Sequence, residues 1–131
     1  MAVARLVPVL VCEDIAAAHD FLVRAFGFTS GGIDGDANGR VIHAAVRAGE
    51  SVIWLHRVLT PRGLASPRTL PGVTGGLVVY VDDVDAHFEQ ARAHGAVVER
   101  EPEDMPYGQR EYAAIDPEGH HWWFAQMSAR V

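Results

Sequence analysis

Residues 106–126 read PYGQREYAAIDPEGHHWWFAQ and contain the pattern that decides the fold. Two runs of strand-like composition, residues 111–115 and 121–126, flank the tetrapeptide Asp116-Pro117-Glu118-Gly119. In such a tetrapeptide the Asp side chain bonds the backbone two residues on, Pro presets φ, and Gly tolerates a left-handed conformation. The stretch therefore predicts a β-hairpin, with a tyrosine and an arginine before it and two histidines and three aromatic residues after its turn.

The chain is an internal repeat. Residues 7–15, VPVLVCEDI, match residues 76–84, GLVVYVDDV, and each segment precedes a run with helical spacing. Asp14 and Asp83 stand where helix N-caps belong, which argues against an acid–base role for them. Each half then contains three more strands, so each half is βαβββ.

We expect an α+β fold in which the two βαβββ repeats form one curved eight-stranded mixed sheet with a helix per repeat on its outer face. The predicted single domain covers residues 1–131, with repeat one at about 5–58, a linker at 59–75 and repeat two at about 76–126. The linker contains three prolines and has no periodicity, which predicts a loop. The concave inner face of the sheet is the expected ligand site.

Composition excludes several classes of function. The chain has 131 residues, of which 49% are hydrophobic, and a formal net charge of −6. An acidic chain without a basic cluster is a poor partner for nucleic acid or an anionic membrane, and its apolar runs are too short to span a bilayer. Cys12 is the one cysteine, so no intrachain disulfide is possible, and the first residues lack a signal-peptide pattern. These features predict a cytoplasmic protein.

The repeat, together with its motifs in order, resembles the vicinal oxygen chelate superfamily, which includes glyoxalase I, extradiol dioxygenases, and bleomycin- and fosfomycin-resistance proteins. The helix end Ala25–Phe28 is similar to a motif of that family. The final stretch, from Tyr107 to Trp122, looks most like the metal-free bleomycin-resistance and PhnB-like branch. The resemblance covers essentially the whole chain.

The resemblance implies four metal-ligand positions, on the first and last strand of each half. These positions are occupied by Val7, Gly76, Trp123 and either Ile53 or Trp54. None of these side chains donates to a divalent cation, since such sites need oxygen, imidazole or thiolate donors. We therefore expect no metal cofactor. The alternative is a divalent metal on shifted ligands, namely His43, His56 and His121.

Aromatic residues are the positive signal for a ligand. Trp54 and Trp123 fall at paired positions of the two halves, and Tyr80 is in phase with Gly76 on the fifth strand. Such faces bind planar ligands by stacking and cation–π contacts. The predicted pocket consists of Trp54, His56, Tyr80, Tyr107, Arg110, Tyr112 and Trp123. Arg110 either clamps an anionic group of the ligand or pairs with Asp116 or Glu118, while Trp122 and Phe124 alternate into the core.

Three functions remain open. The first is a non-enzymatic protein that sequesters a planar aromatic antibiotic or metabolite. The second is a lyase, isomerase or dioxygenase of the glyoxalase type, using a metal on shifted ligands or a histidine base. The third is a fold relic or regulatory module whose aromatic residues pack on each other. Proteins of the resembling branch are usually dimers, and residues 59–75 are long enough to let two copies exchange halves, so we expect a homodimer.

Overall fold

The computed structural model describes residues 1–127 and shows a βαβββ–linker–βαβββ chain. The first repeat contains β1 (Val9–Cys12), α1 (Ile15–Phe26), β2 (Thr29–Gly35), β3 (Val41–Ala48) and β4 (Ser51–Arg57). The second contains β5 (Gly76–Tyr80), α2 (Val84–Ala93), β6 (Val97–Asp104), β7 (Gln109–Ile115) and β8 (His121–Met127). No helix within residues 1–127 has the length and apolar character needed to cross a membrane.

The strands form two four-stranded mixed sheets with the same internal order, β1-β4-β3-β2 and β5-β8-β7-β6. This confirms the α+β fold and the repeat. The sheets are separate in their hydrogen bonding, because no strand pairing joins them within residues 1–127. In each sheet the first strand of the repeat is an end strand, and it runs parallel to the last.

Both helices begin at the predicted caps. The Asp14 carboxylate accepts a hydrogen bond from the Ala17 amide at 3.0 Å, and the Asp83 carboxylate accepts one from the Ala86 amide at 3.1 Å. Each bond satisfies an amide that has no partner inside its helix. The aspartates are therefore structural, as the sequence predicts.

One hydrophobic core contains residues from both helices and both sheets. The two helices contact each other, and the Phe26 ring at the end of α1 lies edge-on to Phe124 of β8 with centroids 4.6 Å apart. Trp122 and Phe124 are fully buried, which confirms their assignment to the core. One side of each sheet faces the helices and forms part of this core. The opposite side of each sheet therefore points away from the core. We call that other side the free face of the sheet.

His87 of α2 joins the repeats at this seam. Its Nε2 lies 2.8 Å from the Phe26 carbonyl oxygen, and its Nδ1 lies 2.6 Å from the Tyr112 hydroxyl. A carbonyl can only accept, so Nε2 carries the proton and Nδ1 accepts from the tyrosine. Burial lowers the pKa of His87, although the bond to the Phe26 carbonyl opposes this effect. The neutral ring is the form that fits the seam.

This arrangement predicts a pH dependence of stability. Since the pKa of His87 is lower in the folded chain than its ordinary 6.5, the unfolded chain binds the proton more readily. The stabilisation from His87 is therefore complete above about pH 6.5 and is lost as the pH falls below it. Urea unfolding at pH 7.5 and pH 5.5 should show a smaller loss for His87→Asn than for the wild type. The exposed His94→Asn is the matched control, and an equal loss in all three proteins would contradict the prediction.

The turn between β7 and β8 is closed by the buried Asp116 carboxylate. Its Oδ1 accepts from the amides of Glu118 and His120 at 2.9 and 3.0 Å, and its Oδ2 accepts from the Trp122 indole at 2.9 Å. Gly119 has a φ of 95°, the left-handed region that favours glycine. The predicted turn is confirmed.

Glu118 fastens this turn to the first repeat and to the linker. Its Oε1 accepts from the Glu13 amide at 2.8 Å and the Ser66 hydroxyl at 2.6 Å, and its Oε2 accepts from the Asp14 amide at 3.0 Å. The residue is only 2% exposed. One buried carboxylate thus holds the entry to α1, the linker and the last hairpin together.

The linker is more ordered than the sequence indicates. It contains two short 3-10 helices, Thr60–Arg62 and Pro67–Thr69, and Ser66 before the second is fully buried. The hydroxyl of Ser66 bonds both the carboxylate and the backbone carbonyl of Glu118. The segment is therefore more than the irregular loop that the sequence predicts, because two short helices form and Ser66 is held between the repeats.

Candidate functional site

The free face of the second sheet carries Trp123 and Tyr80. Strand register pairs Val78 with Trp123 and Tyr80 with Ala125, which places these side chains on one side of the sheet. Tyr80 is 59% exposed and Val78 is similarly open, so an apolar surface faces the solvent here. Two residues of the predicted pocket, Tyr80 and Trp123, thus lie on the same side of this sheet.

Trp123 lies over a glycine. A Cβ placed on Gly76 would come within 2.6 Å of the indole Cζ3 of Trp123 and 2.5 Å of the His121 carbonyl oxygen. The indole therefore occupies the place that a side chain at position 76 would take. Gly76 leaves the space that the Trp123 indole fills. These two residues stand at two of the metal-ligand positions that the resemblance implies.

Gly76→Ala tests this packing. The added methyl group must displace the indole or the β8 backbone, which we expect to cost about 1–3 kcal/mol in stability. The tryptophan emission should also shift as Trp123 moves. Gly75→Ala is the matched control, because a Cβ at position 75 meets nothing within 4 Å. Equal stability and equal emission of the two variants would show that the indole does not occupy this place.

A polar network beside Trp123 is centred on Glu111, which is 5% exposed. Its Oε1 accepts from the Tyr107 hydroxyl at 2.6 Å and from Gln109 Nε2 at 2.9 Å, and its Oε2 accepts from Arg100 Nη2 at 2.6 Å. The Tyr80 hydroxyl donates to Gln109 Oε1 at 3.0 Å. The network therefore links both tyrosines of the free face to one buried carboxylate.

The electrostatics of this network keep Glu111 charged. Burial acts to raise the pKa of Glu111, but the bonds from Tyr107, Gln109 and Arg100 outweigh it, and the pKa lies below its ordinary value. The Nε of Arg100 is buried without a hydrogen-bond partner in the described chain. The face thus offers fixed hydrogen-bonding groups next to an aromatic surface.

Of the residues in this network, only Tyr80 and Tyr107 are predicted from the sequence. Glu111, Gln109 and Arg100 are missed because two of them lie in β7 as ordinary strand positions and the third lies on β6. Side chains alternate along a strand, so Gln109, Glu111 and Ala113 lie on the same side of β7, and Ala113 pairs with Trp123. This alternation could have identified Gln109 and Glu111 from the sequence.

The free face of the first sheet carries Trp54, His43 and His56. His43 pairs with His56 across β3 and β4, and the His43 ring lies edge-on to Trp54 with centroids 5.6 Å apart. Asp34 Oδ2 lies 3.3 Å from His43 Nδ1, and His56 Nδ1 donates to the Arg57 carbonyl at 2.6 Å. Trp54 is 40% exposed. This face is a second aromatic surface, bordered by imidazoles.

Trp54 and Trp123 are equivalent positions of the repeat, because Val9 pairs with Trp54 as Val78 pairs with Trp123. A cavity of about 680 Å³ is lined by Tyr80 but by neither tryptophan, and another of about 470 Å³ is lined by none of the three residues. Neither of these two cavities brings Trp54 and Trp123 together, and their shared pocket stays a prediction.

Two predicted site residues lie on the helix-facing side instead. Tyr112 is fully buried, stacks on Phe124 and bonds His87, so its assignment to the pocket is wrong. The reason is register, since Tyr112 pairs with Phe124 and not with Trp123. Arg110 pairs with Asp85 at 3.1 Å and with Asp104 at 3.3 Å.

This pairing also corrects the predicted partners of Arg110. The Asp116 carboxylate accepts from donors of the last hairpin, and the Glu118 carboxylate accepts from the entry to α1 and from the linker. Arg110 instead holds the start of α2 to the end of β6. Its guanidinium is used for structure in this chain.

The residues at the implied metal positions do not fit a divalent cation. Gly76 and Trp123 fill one pair of positions by packing, and Val7 and Trp54 offer no oxygen, imidazole or thiolate donor at the other pair. The shifted set is not assembled either. His43 and His56 lie on the first sheet, whereas His121 lies on the second, where its Nδ1 is 3.3 Å from Glu99. Within residues 1–127 no three His, Cys, Asp or Glu side chains form a group that could hold a metal.

Known proteins share this architecture over nearly the whole chain. TioX from Micromonospora sp. ML1 is 32% identical, with a TM-score of 0.75 over 95% of this chain and 98% of its own. TnmS3, an antibiotic binding protein from Streptomyces sp. CB03234, is 25% identical, with a TM-score of 0.74 over 98% of this chain and 99% of its own. An uncharacterized protein of Mycobacterium tuberculosis is 37% identical over 128 residues, which are 95% of this chain and 75% of the relative.

Family membership follows from the extent of these matches. Residues 3–124 match the Glyoxalase/Bleomycin resistance protein/Dioxygenase superfamily, a span that begins before β1 and ends inside β8. The span contains the first βαβββ repeat, the turn at Asp116 and the second repeat as far as the middle of β8. This chain therefore belongs to the Glyoxalase/Bleomycin resistance protein/Dioxygenase superfamily.

Proposed function

We propose that this chain is a small-molecule-binding protein that sequesters a planar aromatic compound, such as an antibiotic or a metabolite, without a metal ion. The observation that carries the proposal is the pair of tryptophans, Trp54 and Trp123, at equivalent positions of two free sheet faces. Aromatic rings that are held on a rigid sheet bind planar ligands by stacking. The description of TnmS3 as an antibiotic binding protein supports the same class of function.

A second copy of the chain would complete the site. Each free face exposes large hydrophobic side chains, Val9 and Trp54 on the first sheet and Val78 and Tyr80 on the second. Exposed apolar surfaces of this kind mark interaction sites. In a two-fold dimer the first sheet of one copy faces the second sheet of the other, so both tryptophans contribute to each of two equivalent sites.

Affinity gives a further reason for the dimer. A stacked aromatic pair contributes about 0.5–1.5 kcal/mol beyond its buried area, whereas micromolar binding needs about 8 kcal/mol. One open face that leaves the other side of the ligand in water falls short of this value. A ligand between two faces is enclosed on both sides, and the Glu111 network at the edge can bond its polar groups.

The test combines sedimentation equilibrium with fluorescence titration. We expect a dimer whose tryptophan emission is quenched saturably by 9-aminoacridine or anthraquinone-2-sulfonate, with about one ligand per chain. Trp54→Phe should weaken binding while leaving the dimer intact. A monomer that binds equally well would refute the two-sided site, and the absence of saturable quenching by either probe would refute the function.

A further inference from the structure

A second cavity, away from the tryptophans, lies between the two repeats. It has a volume of about 470 Å³ and is bounded by β1 and β5, which are end strands of the two sheets, and by residues of the linker between 65 and 75. This volume lies within the range of small-molecule sites, about 300–1,000 Å³. The cavity is therefore large enough for a small organic molecule.

The lining is apolar except at two side chains. Aliphatic residues of β1, of β5 and of the linker form most of the wall, with glycines where the linker enters β5. The polar side chains among the lining residues are Thr74 and His120. An apolar cleft with few convergent polar groups is the usual form of a ligand site.

His120 is held in a fixed orientation by the turn. It is 8% exposed, and its Nδ1 lies 3.1 Å from Asp116 Oδ2, the oxygen that also accepts from the Trp122 indole. The carboxylate can only accept, so Nδ1 carries the proton in the neutral ring and Nε2 is left with its lone pair. The described chain offers Nε2 no hydrogen bond, and the residue lines the cavity.

We propose that this cavity binds a compact apolar molecule with one hydroxyl or N–H donor, of the phenol class, and that His120 Nε2 accepts its hydrogen bond. His120 presents an oriented imidazole with one free nitrogen to an apolar cleft. Neither tryptophan lines this cavity, although Val9 and Gly76, which lie on the free faces of the two sheets, border it.

NMR of the histidine rings tests the proposal with a defined probe. Titration with 2-naphthol should shift the His120 ring signals saturably, and 2-methoxynaphthalene, which lacks the donor, should bind at least about tenfold more weakly. Equal binding of the two compounds would refute the hydrogen bond. The absence of any saturable shift at His120 up to the solubility limit of 2-naphthol would refute the site.

A pair of linker variants gives the control for location. Val73→Trp fills the cavity from a partly exposed position, and Arg62→Trp places the same side chain on the linker outside the lining. We expect Val73→Trp to weaken the binding of 2-naphthol at least about tenfold and Arg62→Trp to leave it unchanged. An unchanged midpoint of urea unfolding without ligand confirms that the fold is intact. Undiminished binding to a folded Val73→Trp variant would place the ligand elsewhere and overturn the proposal.

Discussion

Replacement of Glu118 by alanine is expected to lower the free energy of unfolding by about 3–5 kcal/mol, a large part of the stability of a domain of this size. The carboxylate accepts hydrogen bonds from the amides of Glu13 and Asp14 and from the Ser66 hydroxyl. Alanine leaves the two amides without this partner, and the buried Ser66 hydroxyl keeps only the Glu118 backbone carbonyl, at 3.2 Å. Each unsatisfied buried donor costs about 1–3 kcal/mol.

The loss should extend beyond the turn. Glu118 is the contact through which the last hairpin holds the N-terminus of α1, and Arg68 Nη1 approaches the same carboxylate at 3.6 Å. When the Glu118 carboxylate is removed, the linker and the N-terminus of α1 lose the residue that both of them contact. Amide hydrogen exchange should therefore accelerate at Ser66–Thr69 and at the start of α1 together.

Urea or thermal unfolding measures the effect. Glu50→Ala, an exposed glutamate in the turn between β3 and β4, should change stability by no more than about 0.5 kcal/mol. Glu118→Gln should fall between the two, because the amide keeps one acceptor oxygen but turns an NH₂ group toward a backbone donor. A Glu118→Ala protein as stable as the Glu50→Ala protein would refute the anchor.

These contacts show where the sequence stops being sufficient. The Asp116 turn, the aspartate caps and the burial of Trp122 and Phe124 depend on neighbours within a few residues, and sequence patterns predict them correctly. The partners of Glu118 lie up to 105 positions away, and no local pattern specifies them. The same holds for the contact between the helices, which decides where the free faces point.

The error at Tyr112 has a different origin. The turn pairs Ile115 with His121, so counting back from it pairs Tyr112 with Phe124. That register places Tyr112 on the helix-facing side, and this information was present in the sequence. Aromatic composition alone does not distinguish the two sides of the sheet, whereas strand alternation separates the residues of the free face from those that form the core.

Trp122 and Trp123 are adjacent in β8 and therefore lie on opposite sides of the sheet. Substituting each of them tests directly which side forms the core. Trp123→Ala should leave the fold intact and weaken binding of a planar probe such as 9-aminoacridine at least about tenfold, because the stacking surface and its apolar area are lost. Trp122→Ala should instead destabilise the protein by about 3–5 kcal/mol, because it opens a core cavity and removes a donor to Asp116.

The two outcomes separate a binding role from a packing role in residues that are neighbours in the chain. If Trp123→Ala unfolds the protein as Trp122→Ala does, then Trp123 belongs to the core and the free face of the second sheet is not the ligand surface. If Trp123→Ala folds and still quenches fully, the quenching comes from Trp54 or from another site, and the role of the second face is refuted. Loss of binding with retention of the dimer is the result that the proposed function requires, because Trp123 contacts the ligand while other residues of the two faces hold the copies together.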